Sequence, residues 1–441
     1  MSTLVLKNFR LVDETTDVCG SIIVEDGIIK EVYLENADDA FDFIIAEKEI
    51  ERAAHRADIV LDGNAADPNS NLVLMPAFVD LHAHFRDPGF PEKETLESAC
   101  LAAVAGGFGT VVCMANTKPV TDTIAQAQSI KDRSDALGLI DLYPVLSLTK
   151  GMESKELSEI TLLKENQNKL SGDSDGLNPI RLLSEDGKDV TDDELFLAAL
   201  KEARRTGIPV SCHCDLDGEN NATRRAIELG KKASCNHQQD CRLHIAHVST
   251  KEAAAIIREA KKNNNRLSCE VTPHHIALTE KDAAALGVES FGKVNPPLRK
   301  EEDRRALIEA IVDGTVDAIA TDHAPHTKAD KEQGAPGFTG LETAFAVCYS
   351  ALVMPGHISL SKLSCLMSAE PARILGLDRG KEGRGRIAPG MRADFAIADP
   401  GTAWTVDTAL FKSRGKNSPF SGKKLHGKIA LTIHNGICRR Q

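Results

Sequence analysis

The chain has no apolar run of the 18 or so residues that a membrane-spanning helix requires. Its first residues also lack a basic stretch followed by a long apolar core, so we expect no secretory signal. A basic excess is missing too, because 65 acidic residues outnumber 53 basic ones and give a formal net charge of −12. A surface of that sign repels a phosphate backbone, which argues against a nucleic-acid partner.

A glycine-rich phosphate loop does not follow the first buried strand, which disfavours a doubly wound nucleotide-binding sheet. Cysteine, by contrast, is not scarce, since the chain has 11. Most of these cysteines lie in apolar runs, where a thiol behaves as a small buried hydrophobe. Without a secretion signal we expect them to be reduced and the protein to be cytoplasmic.

Eight short apolar runs, separated by helical segments, fill the middle of the chain. Alternating strands and helices imply a parallel sheet, and eight such units imply closure into a TIM-type (β/α)8 barrel. The predicted strands are 72–82, 110–115, 141–148, 180–184, 208–213, 242–247, 266–272 and 317–321. Helices are predicted at 93–105, 123–137, 192–205, 250–263 and 301–313, with Thr, Ser or Asp often placed as caps.

Both ends of the chain alternate apolar and polar residues in the manner of short β-strands. Ser21 to Val24 and Lys428 to Ile433 are examples. We therefore predict an α/β protein with two domains. Residues 1–71 and 384–441 would form a composite β domain, a small β-sandwich, and residues 72–383 would form the barrel.

Histidines and carboxylates stand where the predicted strands end. His82 and His84 are two residues apart on one strand, so both point to the same face and can reach one metal ion. The active site of a barrel lies at the carboxyl ends of its strands, so further ligands from other strands should meet them there. The candidates are a carboxylate of the pair Glu185 and Asp186 at the end of the fourth strand, together with His213, His247 and Asp322. Zinc favours nitrogen and oxygen ligands, and six exceed the needs of one catalytic zinc, so we predict one or two ions with a binuclear centre favoured.

The segment from Asp80 to Gly89 resembles the signature of the dihydroorotases within the amidohydrolase superfamily. Segments 114–119, 293–299 and 320–326 agree with it, and the similarity extends into both flanking β segments. The chain most resembles the bacterial type, in which an aspartate bridges the two metals, and Asp186 stands at that position. A carboxylated Lys188, as in hydantoinases, is the alternative bridge, but it lies beyond Gly187 and past the strand end.

This resemblance implies the reversible cyclisation of N-carbamoyl-L-aspartate to L-dihydroorotate in pyrimidine biosynthesis. A zinc-bound hydroxide would open the ring, with Asp322 as metal ligand and as catalytic base and acid. Arg86, Asn116 and His326 would clamp the substrate carboxylate, for which arginine offers a planar fork. Asn295, before two prolines, would contact the pyrimidine ring. We also expect a homodimer and a possible association with aspartate carbamoyltransferase.

Two other functions stay open. Another cyclic amidase, such as a dihydropyrimidinase, hydantoinase or allantoinase, would share the barrel and metals but would not need Arg86 and Asn116 aimed at a carboxylate. A non-catalytic scaffold for aspartate carbamoyltransferase would be expected to have lost some of the six ligands, all of which are present. A separate zinc site is a weaker hypothesis, because the spacing of its ligands matches no regular zinc knuckle: Cys235, His237, Cys241 and His244. His274 and His275 are expected to support or pack the seventh strand.

Overall fold

The computed structural model of the protein describes residues 2–35, 40–64, 72–165, 179–234, 241–264, 266–380 and 383–439. Its centre is a ring of eight parallel strands, which confirms the predicted TIM-type barrel. The bridges Leu146–Leu183 and Ala83–His323 join the two parts of the ring. In chain order the strands are Phe78–Ala83, Phe108–Cys113, Asp141–Pro144, Leu183–Ser184, Val210–Cys212, Leu243–Ile245, Leu267–Val271 and Ala318–Ile319.

Helices connect these strands. The five that the sequence predicted are present with ends shifted by a few residues: Leu96–Ala105, Ile124–Leu137, Asp193–Thr206, Lys251–Lys261 and Glu301–Val312. Several begin at a capping side chain, as where the Thr250 hydroxyl accepts from the Ala253 amide. Further α-helices in the described ranges are Ala40–Ala54, Glu219–Ala233, Pro273–Ala277, Glu280–Leu286, Lys328–Glu332, Ala344–Cys348, Leu360–Ser364 and Glu370–Leu375. No helix in these described ranges is long and apolar enough to cross a membrane.

Both ends of the chain contribute to one eight-stranded sheet, so the predicted β domain from the two termini is confirmed. From one edge the order is Ile437–Arg439, Lys424–His434, Phe395–Thr405, Val73–Pro76, Thr3–Val12, Asp17–Glu25 and Ile28–Leu34, and Ile59–Asp62 also pairs with Thr3–Val12. The single strand predicted over 72–82 is wrong, because it is two strands in two sheets. The Ala77 amide donates to the Asp394 carbonyl of the terminal sheet, and the barrel strand starts one residue later. The exact division of the chain into 1–71 with 384–441 and 72–383 stays a prediction.

The first barrel strand shows how the fold positions the site. Successive side chains of a strand point to opposite faces. Val79 and Leu81 therefore pack in an apolar cluster that includes Ala372 and Leu375 of the helix Glu370–Leu375. The opposite face carries the polar side chains, His82 among them, which is fully buried.

Candidate metal centre and active site

The six predicted ligands meet at the carboxyl ends of the barrel strands. Asp186 is at their centre, with its Oδ1 3.2 Å from His82 Nε2 and 3.1 Å from His213 Nδ1. The same oxygen lies 3.4 Å from His247 Nε2, and the other carboxylate oxygen lies 3.4 Å from His84 Nε2. One carboxylate is thus shared by four imidazoles from three other strands.

These side chains form two groups whose ligand atoms all lie within 4.8 Å of one another. The first contains His82 and His84, the second contains His213 and His247, and Asp186 belongs to both. Two sites that share one carboxylate are the arrangement of a binuclear metal centre. Asp322 lies beside the first group, with its Oδ1 3.1 Å from His84 Nε2 and 3.8 Å from His82 Nε2.

The charges of this cluster call for a cation. Burial would lower the pKa of His82, but the carboxylates of Asp186 and Glu270 raise it well above its ordinary value. Burial would likewise raise the pKa of Asp186, but the surrounding imidazoles lower it well below its usual range. Within the described part of the chain, the buried His82 Nε2 makes no hydrogen bond of good geometry. Nitrogen and oxygen donors of this kind suit a divalent ion such as zinc, so the residues fit a metal.

A buried network behind His82 fixes the orientation of this ligand. Its Nδ1 lies 3.0 Å from Glu270 Oε1, and His244 Nε2 lies 2.9 Å from the other Glu270 oxygen. His244 Nδ1 in turn lies 2.8 Å from the Ser268 hydroxyl. A carboxylate on the second ring nitrogen is the usual support of a metal-binding histidine. The sequence reasoning missed Glu270, although a glutamate inside the buried strand Leu267–Val271 was a usable signal.

Backbone conformation places two ligands at the ends of their strands. Asp322 has φ 46° and His247 has φ 31°, values that non-glycine residues rarely adopt. Such strain persists only where surrounding contacts enforce it. Behind Asp322, the buried Asp80 carboxylate accepts from the backbone amide and the hydroxyl of Thr321, at 2.9 and 2.5 Å. These bonds hold the strand end at which Asp322 turns into the site.

The four predicted substrate-binding residues line one pocket of about 270 Å³ with five of the six ligands, His82 being the exception, and with Gly187, Ala324, Pro336 and Gly337. Arg86 Nη2 lies 3.2 Å from His326 Nε2. The Asn116 oxygen lies 2.9 Å from His84 Nδ1, so this amide also orients a ligand. Asn295 Nδ2 lies 3.1 Å from His213 Nε2, on the opposite side of the metal groups. The predicted substrate residues therefore surround the ligands.

Arg86 brings an unmatched charge into this pocket. None of the ion pairs among the described residues involves its guanidinium, whose protein contacts are His326 and, at 3.4 Å, the Pro325 carbonyl. Burial lowers the pKa of Arg86 to about 10, so the side chain stays charged at neutral pH. A half-buried cation that pairs with no carboxylate of the described residues is a place for an anionic group of a ligand.

The alternative ligands lie elsewhere. Lys188 donates to the Met152 carbonyl at 3.0 Å and lines a different pocket together with Met152 and Asp215. Of the separate zinc site, Cys235 and His237 lie outside the described residues, and His244 binds Glu270. His274 and His275 are buried in the helix Pro273–Ala277, which follows the seventh strand, and burial lowers the pKa of His275 to about 4.

With this geometry established, comparison with known proteins identifies the family. The family description that matches residues 73–438 is "Amidohydrolase family". The chain belongs to the amidohydrolase family.

Relatives of this chain within the family include dihydroorotases. A dihydroorotase of Clostridium botulinum (strain Eklund 17B / Type B) is 37% identical over 442 residues, covering 98% of each chain. A dihydroorotase of Anaeromyxobacter dehalogenans (strain 2CP-1) is 40% identical, covering 89% of this chain and 92% of that relative. The chain is therefore a member of the dihydroorotases, as its motifs predicted.

The solved structures support the fold of this amidohydrolase. The L-hydantoinase (dihydropyrimidinase) from Arthrobacter aurescens superimposes with a TM-score of 0.82 at 23% identity, covering 100% of this chain and 96% of that one. A dihydropyrimidinase from Brevibacillus agri has a TM-score of 0.78 at 19% identity. At this level of identity, the likeness concerns the fold alone.

Proposed function

We propose that this amidohydrolase is a dihydroorotase, which interconverts N-carbamoyl-L-aspartate and L-dihydroorotate. The observation that carries the substrate assignment is the half-buried Arg86, a charged guanidinium that lines the pocket and pairs with no carboxylate of the described residues. Dihydroorotate has one carboxylate, which the fork of Arg86 would bind with help from Asn116 and His326. Dihydrouracil has no carboxylate, so a dihydropyrimidinase would leave this charge uncompensated.

Asp186 would bridge two divalent ions, held on one side by His82 and His84 and on the other by His213 and His247. We propose zinc at both sites. Bound metal supplies positive charge that lowers the pKa of a water molecule towards neutrality and polarises the ring carbonyl. Asn295, which lies near His213, would contact the edge of the pyrimidine ring.

Asp322 would move the proton. Burial would raise the pKa of Asp322, but His84 and His82 lower it, so the side chain is a carboxylate at neutral pH. In ring opening, the carboxylate accepts a proton from the attacking water as the new carbon–oxygen bond forms. It returns this proton to the ring nitrogen as the carbon–nitrogen bond breaks. Ring closure reverses both transfers.

A direct comparison of substrates tests the proposal. Purified protein with known metal content is assayed with dihydroorotate, dihydrouracil and allantoin under the same conditions. We expect kcat/KM for dihydroorotate to exceed the other two values by at least about tenfold, since a charge-assisted contact is worth about 1.5–3 kcal/mol. A preference for dihydrouracil or allantoin would refute the substrate assignment.

Some predictions extend beyond the chain itself. A homodimer, an association with aspartate carbamoyltransferase and a cytoplasmic location stay part of the proposal. Sedimentation of the purified protein, alone and with the carbamoyltransferase, tests the first two.

A further inference from the structure

One wall of the substrate pocket is formed by residues of two loops, with Ala324 and His326 from the first and Pro336 and Gly337 from the second. We propose that two buried side chains behind this wall, Lys331 and Asn417, are positioning residues. They fix the position of the wall relative to Arg86 and the metal ligands. Lys331 and Asn417 are not among the described residues that line the pocket, so both would affect the substrate through the wall. This inference rests on the proposed function, because it takes the pocket to be the dihydroorotate site.

Lys331 is a fully buried ammonium held by carbonyl groups. Its Nζ donates to the carbonyls of Lys293 and Ala335, each at 2.8 Å, and to that of Gly337 at 3.0 Å. No ion pair among the described residues includes it, and its Nζ lies 5.4 Å from the centre of the Phe338 ring. A lysine is rarely buried without a charged partner unless all its donors are satisfied, and three carbonyls match three N–H groups.

The contacts of Lys331 join two sides of the pocket. The Lys293 carbonyl also accepts from the Gly337 amide at 3.0 Å, so this carbonyl ties the wall to the loop that carries Asn295 two residues later. Burial and the neighbouring Lys293 lower the pKa of Lys331 to about 8, which leaves the ammonium mostly charged at neutral pH. The full set of three donors is therefore present in most molecules at neutral pH.

Asn417 reaches the same wall from the terminal domain, between the strands Phe395–Thr405 and Lys424–His434. Its Oδ1 accepts from the His326 amide at 3.0 Å. Its Nδ2 donates to the carbonyls of Ala324 and Gly337, each at 3.0 Å. One buried amide thus binds both loops of the wall and fixes the backbone that carries the His326 ring.

The two side chains converge on one atom, the Gly337 carbonyl oxygen, which accepts from both. Gly337 has φ 136°, and a β-carbon there would lie 2.6 Å from that of Ala324. The position therefore needs glycine, and a glycine needs outside contacts to hold one conformation. The paired donors from Lys331 and Asn417 provide them.

The test compares two lysines of the short helix Lys328–Glu332. Lys331→Met keeps the length of the side chain but removes all three donors, whereas Lys328→Met alters an exposed lysine and is the control. We expect Lys331→Met to raise KM for dihydroorotate about tenfold or more, with kcat within about threefold and metal content unchanged. The control should match the parent. Equal KM values in the two variants, or a fall in kcat alone, would overturn the proposal.

Asn417→Asp is the second variant and carries the test if Lys331→Met does not fold. It keeps the shape but replaces the Nδ2 donor by an oxygen that repels the two carbonyls, so KM should rise as well. Because Lys331 and Asn417 share the Gly337 carbonyl, the combined variant should raise KM by less than the product of the single effects. Fully multiplicative effects would overturn the shared contact.

A measurement that does not depend on catalytic turnover distinguishes this inference from the proposed function. Amide hydrogen exchange over residues 335–340 should be faster in Lys331→Met than in Lys328→Met, with or without activity. If the parent does not use dihydroorotate, the proposed function fails. Hydrogen exchange then still tests whether Lys331 holds the wall in place. If the parent is active and exchange is the same in both variants, the positioning inference fails alone.

Discussion

The barrel has a buried cluster of carboxylates and histidines at each end, and the two differ in their cations. At the carboxyl rim, Asp186, Asp322 and Glu270 make ion pairs only with histidines among the described residues. At the opposite end, Asp141 begins the third barrel strand and meets side chains of the terminal domain. There Arg392 Nη1 lies 2.8 Å from Asp141, Arg392 Nε lies 3.2 Å from Asp394, and Arg384 also pairs with Asp141.

This difference separates a binding site from a structural contact. Both ends of the barrel contain ligand atoms close enough to hold a metal. The end opposite the carboxyl rim is the base of the barrel, and its histidine is His434. At the base, two arginines already balance two aspartates, so the cluster is complete without a ligand. At the rim no lysine or arginine of the described residues pairs with the three carboxylates. Proximity of histidines and carboxylates is therefore not enough to identify a metal site, and the charge balance decides.

The largest expected effect is that of metal removal. Chelation should abolish turnover, because no lysine or arginine of the described residues balances the rim carboxylates, unlike those at the base, and zinc, cobalt or manganese should restore turnover. The protein should stay folded, since the arginines of the base remain. Activity, metal content by elemental analysis and circular dichroism measure the three outcomes. Full activity of a protein proven to be metal-free would contradict the need for a metal at the rim.

The variant Asp322→Asn tests the role of a rim carboxylate in proton transfer. The amide keeps the size and one oxygen ligand of Asp322 but cannot accept a proton, and general acid–base catalysis contributes about 10²–10⁴-fold. We expect kcat to fall at least about a hundredfold, while dihydroorotate still binds and the unfolding free energy changes little. Steady-state kinetics and urea unfolding measure both. Near-normal turnover would assign the proton transfer to another residue, such as His323 or His326.

Asp394→Asn is the matching change at the base. It leaves Arg392 and Arg384 with one aspartate between them, and breaking a buried ion pair costs about 3–5 kcal/mol. We expect the unfolding free energy in urea to fall by about that amount, with kcat and KM of the folded protein retained. Asp132→Asn, at an exposed helix position, is the control. A loss of kcat comparable to that of Asp322→Asn would contradict the structural role.

The variant Arg86→Met tests whether the arginine at the rim serves binding and not stability, unlike the arginines at the base. Arg86 pairs with no carboxylate of the described residues, whereas Arg392 pairs with two, so removal of Arg86 should spare stability and weaken substrate binding. A charge-assisted contact is worth about 1.5–3 kcal/mol, and we expect KM for dihydroorotate to rise about ten- to a hundredfold. An unchanged KM would exclude Arg86 from the carboxylate clamp.

The smallest effect is a pH dependence of stability. Burial would raise the pKa of Asp394, but Arg392 and His434 lower it below its ordinary value. Stability from this carboxylate is present above the unfolded pKa of about 3.9 and is lost as the pH falls through the lower folded value. The gap in unfolding free energy between the parent and Asp394→Asn should therefore shrink below about pH 4, by about 1.4 kcal/mol per unit of pKa depression. A constant gap would mean that the charge of Asp394 is not what stabilises the base.

Much of the rim could be predicted from the sequence, because the relevant information is local. The spacing of His82 and His84 places both on one face of a strand, and the end of each apolar run marks the rim of a parallel barrel. The five predicted helices followed from local patterns in the same way, with ends that differ by a few residues. The pattern thus predicted the barrel, the β domain of both termini and the side chains that meet around Asp186.

The tertiary structure alone decided which distant residues support these side chains. Glu270 lies behind His82, Asn417 contacts a loop some 90 positions earlier, and Arg392 joins Asp141 across the two domains. The strand predicted over 72–82 divides at Ala77 because its first half pairs with strands from both termini. Local patterns determine the direction and faces of an element. Partners far apart in sequence, and the charge balance that distinguishes rim from base, depend on how the elements pack.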